Sequence, residues 1–550
     1  MALSELVKAN WPVLDLDVFD IRKYGAVAND PSIDSKEAIQ AAVDAANAKY
    51  LVTGAMQSVY IPPGVFWVGA RAITNTDELT QNGIVSVQMR SGVRLYGTGT
   101  LKALPNLYGA GAYFRIIGSD RGARISNVIL EGFGLDGNRN NQVASTQCSN
   151  IVLEVSNNIR VEGVRSVEAN GNGMMIRGRY PDTATNIRIS NCYVYGCNSI
   201  GIQSSQFNGL VIADNTVDTT ANNCIDVYGD TGVSGSVSNG VNFSITGNTV
   251  RNSEVCGIFP ETVANGVVSG NSIYNCREGI HINRIRSVPK NIVVSSNSIY
   301  GSADAGIWIS GDMQGINIFG NTVSDWLVGT AAIKLGTSSG NVSNVYIHGN
   351  VFNPTVADSY VLQIQAVLAS RIECRNNMVR NNIGLAMGFV YHNTAGTSTG
   401  VYVDSWAFTA GTVESTGLQM YRSGTFTPTI AGTTSAGTAT YTTQSGQYTR
   451  IGDVVHFSLS VKYSGATGTG LLLIKGLPFT PSNTKLQPEL VAHSSMGTTS
   501  AAETLWVAAT VNGLSPRIRT MGAAEVTRYL SMNGSDYVAG TLRVSGFYYV

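Results

Sequence analysis

Five short segments of the chain share one frame and hold most of its reactive side chains: GIQSS, CIDVYG, GIFPET, GIHIN and GIWIS. Successive residues of a strand face opposite sides, so one alternate set fills the core. The apolar pairs Ile225/Val227, Ile258/Pro260, Ile280/Ile282 and Ile307/Ile309 are the inward set. The outward set is then Gln203/Ser205, Asp226/Tyr228, Phe259/Glu261, His281/Asn283 and Trp308/Ser310, with Lys334 beyond. Two carboxyl groups, Asp226 and Glu261, fall one strand apart. Such a pair is the minimal equipment for glycoside hydrolysis, one group protonating the leaving oxygen and the other activating water or attacking the sugar. Strand spacings put their backbones roughly 8 Å apart, which leaves retention and inversion both open. His281 lies beside them, and histidine titrates near neutrality, as proton transfer requires. Tyr228, Phe259 and Trp308 are rings that suit sugar faces. Gln203, Asn283, Arg284 and Asp312 complete the set of candidate substrate-binding residues. The plain alternative is a row of solvated polar residues on an exposed strand, with rings stacked to shield the sheet.

This placement requires the five segments to lie side by side in register. An asparagine supplies the ruler. It returns in LVIADNTV, FSITGNTV, GVVSGNSI, IVVSSNSI, INIFGNTV and VYIHGNVF, as Asn215, Asn248, Asn271, Asn297, Asn321 and Asn350, at gaps of 33, 23, 26, 24 and 29 by subtraction. A period of that size marks a solenoid, and a unit of short β segments without a helix marks a parallel β-helix. The second strand begins 9, 9, 8 and 9 residues after Asn215, Asn248, Asn271 and Asn297, at Cys224, Gly257, Gly279 and Gly306. That near-constant step aligns the outward residues rung by rung. The asparagines themselves read as a structural hydrogen-bonding ladder. The longest rung carries its extra residues after Tyr228, in GDTGVSGSVSNG, where a loop would wall one side of the patch. A second loop, NRIRSVPK, brings Arg284, Arg286 and Lys290, and arginine forks suit acidic sugars.

Composition agrees with short strands and tight turns. The 550 residues include 61 Gly but only 14 Pro, and 13% are charged. A formal net charge of 0 argues against nucleic acid as a partner. The seven cysteines form no CxxC pair, and those among the rungs read as buried, reduced thiols. No zinc motif and no phosphate-binding loop occurs, so neither metal nor cofactor is expected. The N-terminal segment has no signal-peptide core, and no apolar run reaches the roughly 18 residues of a membrane span, so no membrane insertion is expected.

The two ends carry a resemblance. Near the start, FDIRKYGAVANDPSIDSKEAIQAAVDAA is followed by VYIPPGVF. The first part predicts a helix from Asp34, with capping-box spacing to Glu37 and an apolar stripe of Ile39, Ala42, Val43 and Ala46, able to cap a solenoid end. Over roughly 18–70 this order of motifs resembles the start of the pectate-lyase-like β-helix of many phage tailspikes. From 423, SGTFTPTIAGTTSAGTATYTTQSGQYTRIGDVVHFSLSV reads as antiparallel hairpins. With GTGLLLIKGLPF it resembles a C-terminal β-sandwich of tail fibres and tailspikes. The expected organisation is a lead-in (1–20), a capping helix and first strands (21–84), a parallel β-helix (85–400), a linker (401–423) and the sandwich (424–550). The resemblance implies an elongated homotrimer on a virion tail, joined to a tail or baseplate protein. It also implies an enzyme that binds and depolymerises a bacterial surface polysaccharide, capsule or O-antigen, acting outside the host cell. Hydrolysis is the leading expectation. A lyase using His281, Tyr228 or an arginine on an acidic capsule is one alternative, and a glycan-binding adhesin without catalysis is another.

Overall fold

In a computed structural model the structure describes residues 14–550 apart from 73–82, 110–111, 120–123, 145–147, 179–181, 230–239, 285–288, 312, 328, 338–340, 356–359, 366–367, 380–387, 393–396, 404–417, 495–502, 511–512, 521–525 and 530–538. Two compact units emerge: 1–399 with 408–416, and 400–407 with 417–550.

The first unit is a parallel β-helix whose rungs each give one strand to each of three parallel sheets. The rung around Asn248 shows the pattern: Gly240–Thr246, a turn, Thr249–Ser253, a second turn, then Cys256–Glu261. Each strand pairs with its counterparts one rung before and after. The interior is a stack of Ile, Val and Leu side chains that are all but fully buried. All seven cysteines are buried.

The asparagine column runs along the first turn. Asn215 Nδ2 donates to Asn248 Oδ1 (2.9 Å), Asn248 to Asn271 (3.0 Å), and so on through Asn297, Asn321 and Asn350. Each Oδ1 also takes the backbone N–H of the asparagine before it. Each Nδ2 gives its second proton to a carbonyl further back, such as Ile245 O for Asn271. The repeat extends one step further than the sequence pattern, to Asn377 (2.9 Å from Asn350). The preceding residue adopts positive φ at every step: Asp214, Gly247, Gly270, Ser296, Gly320, Gly349 and Asn376. That left-handed kink turns the amide inward, and Gly or Asn takes it readily.

The helix α1 spans Lys36–Thr53 and buries Ile39, Ala42, Val43 and Ala46, as expected. Its N-cap is Ser35 rather than Asp34. Asp34 instead accepts the N–H groups of Lys36 (3.0 Å) and Gly69 (2.8 Å), tying the helix start to the end of the second rung strand. Gln40 exchanges two hydrogen bonds with the backbone of Gln88, fixing the helix to the third sheet.

Six strands of the third sheet position the candidate site: β1 (Ile202–Ser205), β2 (Ile225–Tyr228), β3 (Cys256–Glu261), β4 (Glu278–Asn283), β5 (Ala305–Ser310) and β6 (Ala331–Leu335). A glycine precedes the central isoleucine in β3, β4 and β5. At Gly279 a Cβ would stand 2.4 Å from the carbonyl oxygen of Gly306, so only glycine lets adjacent rungs approach there.

The second unit is an antiparallel sheet. The strand Thr440–Ile451 pairs with Val454–Ser464, which pairs with Gly540–Tyr549. Val455, Phe457, Leu459 and Val461 alternate into its core with Leu472, Ile474, Val544 and Tyr548. Within the stretch expected as a linker, Tyr421, Arg422 and Ser423 already pair with Ile451, Arg450 and Thr449 of this sheet.

Candidate active site

The register of the third sheet assembles the outward column. Gln203 pairs with Asp226, and Asp226 with Phe259. Tyr228 pairs with Glu261, and Glu261 with Asn283. His281 pairs with Trp308, Asn283 with Ser310, and Trp308 with Lys334. Asp226 and Glu261 therefore stand one rung and two residues apart. Asp312, Arg286 and the loop after Tyr228 (230–239) lie outside the described residues.

The column is not the solvated strand that alternation alone allows. Asp226 is only 6% exposed, although it faces away from the solenoid core. Its Oδ2 accepts from Asn223 Nδ2 (3.3 Å) and Gln203 Nε2 (3.4 Å). Gln203 is itself held by Asn172 (2.8 Å). Among the described residues, Asp226 Oδ1 is buried without a hydrogen-bond partner. Burial and then the charge of Glu261 push the Asp226 carboxyl up to about 7, against the lowering effect of the two amides. Burial likewise pushes Glu261 up to about 7. Each of the two carboxyls thus favours its neutral form more than a solvated carboxyl does.

His281 is differently placed from a free base beside the carboxylates. It is 8% exposed, and both ring nitrogens are occupied. Nδ1 lies 2.6 Å from Glu278 Oε2, and Nε2 lies 2.6 Å from Ser310 Oγ. The ring stacks on Trp308 (4.2 Å between centroids) and meets Phe259 edge-on (5.0 Å). Trp308 in turn has Lys334 Nζ 4.0 Å from its ring centre and donates from Nε1 to Gly336 O (3.1 Å). Both faces of Trp308 are thus covered, and what it can offer a sugar is an edge. Asn283 Oδ1 accepts from Ser310 Oγ (2.8 Å), and the backbone N–H of Arg284 donates to Ser310 O (3.1 Å).

Sequence reasoning missed Glu278, Asn223 and the role of Ser310. Glu278 and Asn223 each sit three residues ahead of the side chain they serve, His281 and Asp226. Glu278 stands between Cys256 and Ala305, with Ala331 on the rung after, and a carboxyl among these small neighbours was the available signal. Cys256 Sγ donates to the same Glu278 oxygen (2.8 Å). Cys256, Glu278 and His281 together are a chemically suitable donor set for a metal ion. As they stand, separations of 2.6 and 2.8 Å are those of shared protons, whereas two ligands of one zinc ion lie about 3.2 Å apart or more.

Comparison with known proteins agrees with this architecture. Residues 18–281 match the family described as rhamnogalacturonase A/epimerase, pectate lyase-like, and residues 231–416 match the right handed beta helix region. This chain carries a right-handed parallel β-helix. Solved β-helix structures of the same fold include the A-module of a mannuronan C-5 epimerase from Azotobacter vinelandii. It is 20% identical, covers 70% of this chain and 99% of its own, and has a TM-score of 0.54. A tailspike protein of the E. coli bacteriophage HK620, a mutant solved in complex with a hexasaccharide, is 12% identical. It covers 96% of this chain and 93% of its own, with a TM-score of 0.58. The Dettilon tailspike protein is 14% identical over 96% of this chain and 94% of its own, with a TM-score of 0.54. At these identities the likeness is one of fold.

Proposed function

We propose that this β-helix binds a bacterial surface polysaccharide and cuts it by glycosidic-bond hydrolysis, with Asp226 and Glu261 as the reacting pair. The observation that carries the reading is the pair itself: two neighbouring carboxyls on one face, both raised to about 7. Asp226 is the more buried partner and has an oxygen that no donor reaches, so it is the better holder of the proton and acts as general acid. Glu261, partly exposed, acts as base toward water or as nucleophile. Gln203 and Asn223 orient the Asp226 carboxyl, while Tyr228, Phe259, Asn283 and Arg284 line the column for the sugar chain. The fold likeness to tailspikes supports the wider setting: a homotrimeric spike on a virion tail, attached to a tail or baseplate protein and acting at the host surface. An elimination reaction with His281 as direct base is the weaker reading, because neither of its ring nitrogens is free.

The test is incubation of the purified protein with capsular and O-antigen polysaccharides from candidate host strains. Chain length, product mass and ultraviolet absorbance are followed. Hydrolysis gives fragments that each gain one water and absorb nothing new. An unsaturated, absorbing end would overturn hydrolysis, and polymer retained uncut would mean an adhesin.

A further inference from the structure

We propose that Ser310, His281 and Glu278 form a second catalytic centre, a nucleophile–base–carboxylate chain that hydrolyses a carboxylic ester carried on a hydroxyl of the bound glycan. The three groups are in line: Ser310 Oγ, 2.6 Å to His281 Nε2, then His281 Nδ1, 2.6 Å to Glu278 Oε2. This is the constellation by which an acyl-transfer site is recognised whatever the fold or chain order. The ring that joins them is fixed between Trp308 and Phe259, so the chain is rigid without substrate. The Cys256 thiol supplies a further hydrogen bond to the same oxygen of Glu278. Burial alone would raise the Glu278 carboxyl, but the hydrogen bond and charge of His281 outweigh it and hold the group below its usual value. A carboxylate in that state is what orients an imidazole and stabilises its protonated form.

Nothing in the backbone requires such a set. The β5 column at Ser310 continues Tyr228, Glu261 and Asn283 from the rungs before it, so a serine there lies on the same face as the carboxylate pair. Glu261 and Ser310 are two rungs apart, about 10 Å by strand spacing. One sugar chain laid across the rungs reaches both. Hydroxyl-rich polymers are esterified at hydroxyls, and an ester is the substrate that this chain of groups can open.

In the reaction Ser310 Oγ attacks the ester carbon while its proton passes to His281 Nε2. The tetrahedral adduct collapses, the carbon–oxygen bond to the sugar breaks, and His281 returns the proton to the departing sugar hydroxyl. Water then attacks the acyl-serine, His281 takes its proton and hands it to Ser310 Oγ, and a carboxylic acid leaves. The net change is ester plus water to acid plus alcohol. Ser310 Oγ is bonded to Asn283 Oδ1 as well as to His281, and rotation of its hydroxyl toward Nε2 gives the attacking arrangement.

The serine is 3% exposed, so reagents must be small. The intact protein is treated with an alkyl fluorophosphonate and, separately, assayed on p-nitrophenyl acetate. The expected result is one adduct on the peptide holding Ser310, absent in Ser310→Ala, with ester turnover lost in parallel. Glu278→Gln keeps the hydrogen-bonding shape, so it should melt near wild type yet lose turnover about 10²- to 10⁴-fold. Absence of both adduct and turnover in folded protein overturns the proposal. So does turnover that survives Ser310→Ala, or an adduct found on Cys256 instead.

Discussion

Two polar columns run along the same solenoid and could hardly be more different. The asparagine column repeats one residue at Asn215, Asn248, Asn271, Asn297, Asn321, Asn350 and Asn377, and each described bond closes on the next member. The outward column of the third sheet changes residue at every rung, from Gln203 to Asp226, Phe259, His281 and Trp308. The first has its hydrogen-bonding capacity matched internally, and its work is finished once the chain has folded. The second keeps a carboxyl oxygen without a partner and two carboxyls that resist ionisation. Repetition with satisfied bonds marks stability. Variety with unsatisfied groups marks chemistry.

The largest effect expected is on catalysis. Asp226→Asn and Glu261→Gln should each lower polymer cleavage by about 10³-fold or more while circular dichroism shows the β-helix intact, since neither closes a rung. Cleavage at wild-type rate in both variants would reduce this column to a decorated surface. The converse experiment is Asn271→Ala. It removes four hydrogen bonds and leaves the buried N–H of Asn248 unpaired, at a cost of about 3 kcal/mol or more. Denaturant melts should show that loss, with cleavage by the remaining folded protein unchanged.

The pH dependence follows from the raised carboxyls. Folded Asp226 and Glu261 keep their protons to about pH 7, while their unfolded values are 3.8 and 4.5. Their protonated forms therefore favour the fold: their contribution is fully present below about 4, is lost as pH rises to about 7, and stays lost above. Asp226→Asn should erase its share, gaining on the order of 2–4 kcal/mol over wild type at pH 8 relative to pH 4. Equal stability changes at both pH values would contradict the burial assigned to Asp226. Cleavage by wild type should also fall above pH 7, as the acid loses its proton. The smallest effect is expected at Trp308. Trp308→Phe loses the Nε1 bond and weakens the contact with Lys334, costing about 1 kcal/mol and changing cleavage only a few-fold. A much larger drop in cleavage would show that its edge meets the sugar.

Register and facing were legible because isoleucine alternates faithfully in β2 to β5 and the asparagine sets the origin of each rung. Coverage was not legible. Alternation states which side a residue faces, not whether neighbours such as Gln203 and Asn223 close over it, so Asp226 and His281 were expected in solvent. Glu278 was overlooked because the aligned frame began at Gly279, one residue too late. Asn377 was overlooked because its frame, IECRNNMV, puts a Cys where the other copies have Ile or Val, although Asn376 takes the same left-handed position that Asp214 takes before Asn215. At the helix, Asp34 and Glu37 had the right spacing, but Gly69, distant in sequence, competes for the Asp34 carboxylate.

The amides of the asparagine column all point one way, nitrogen toward the next rung and oxygen toward the one before. Turning a single amide around would set two nitrogens against each other on one side and two oxygens on the other. Such a domain wall costs bonds on both sides and cannot be repaired locally. The column therefore orders as a single polar chain, and its direction is a compass that tells every added rung which end of the solenoid it is joining.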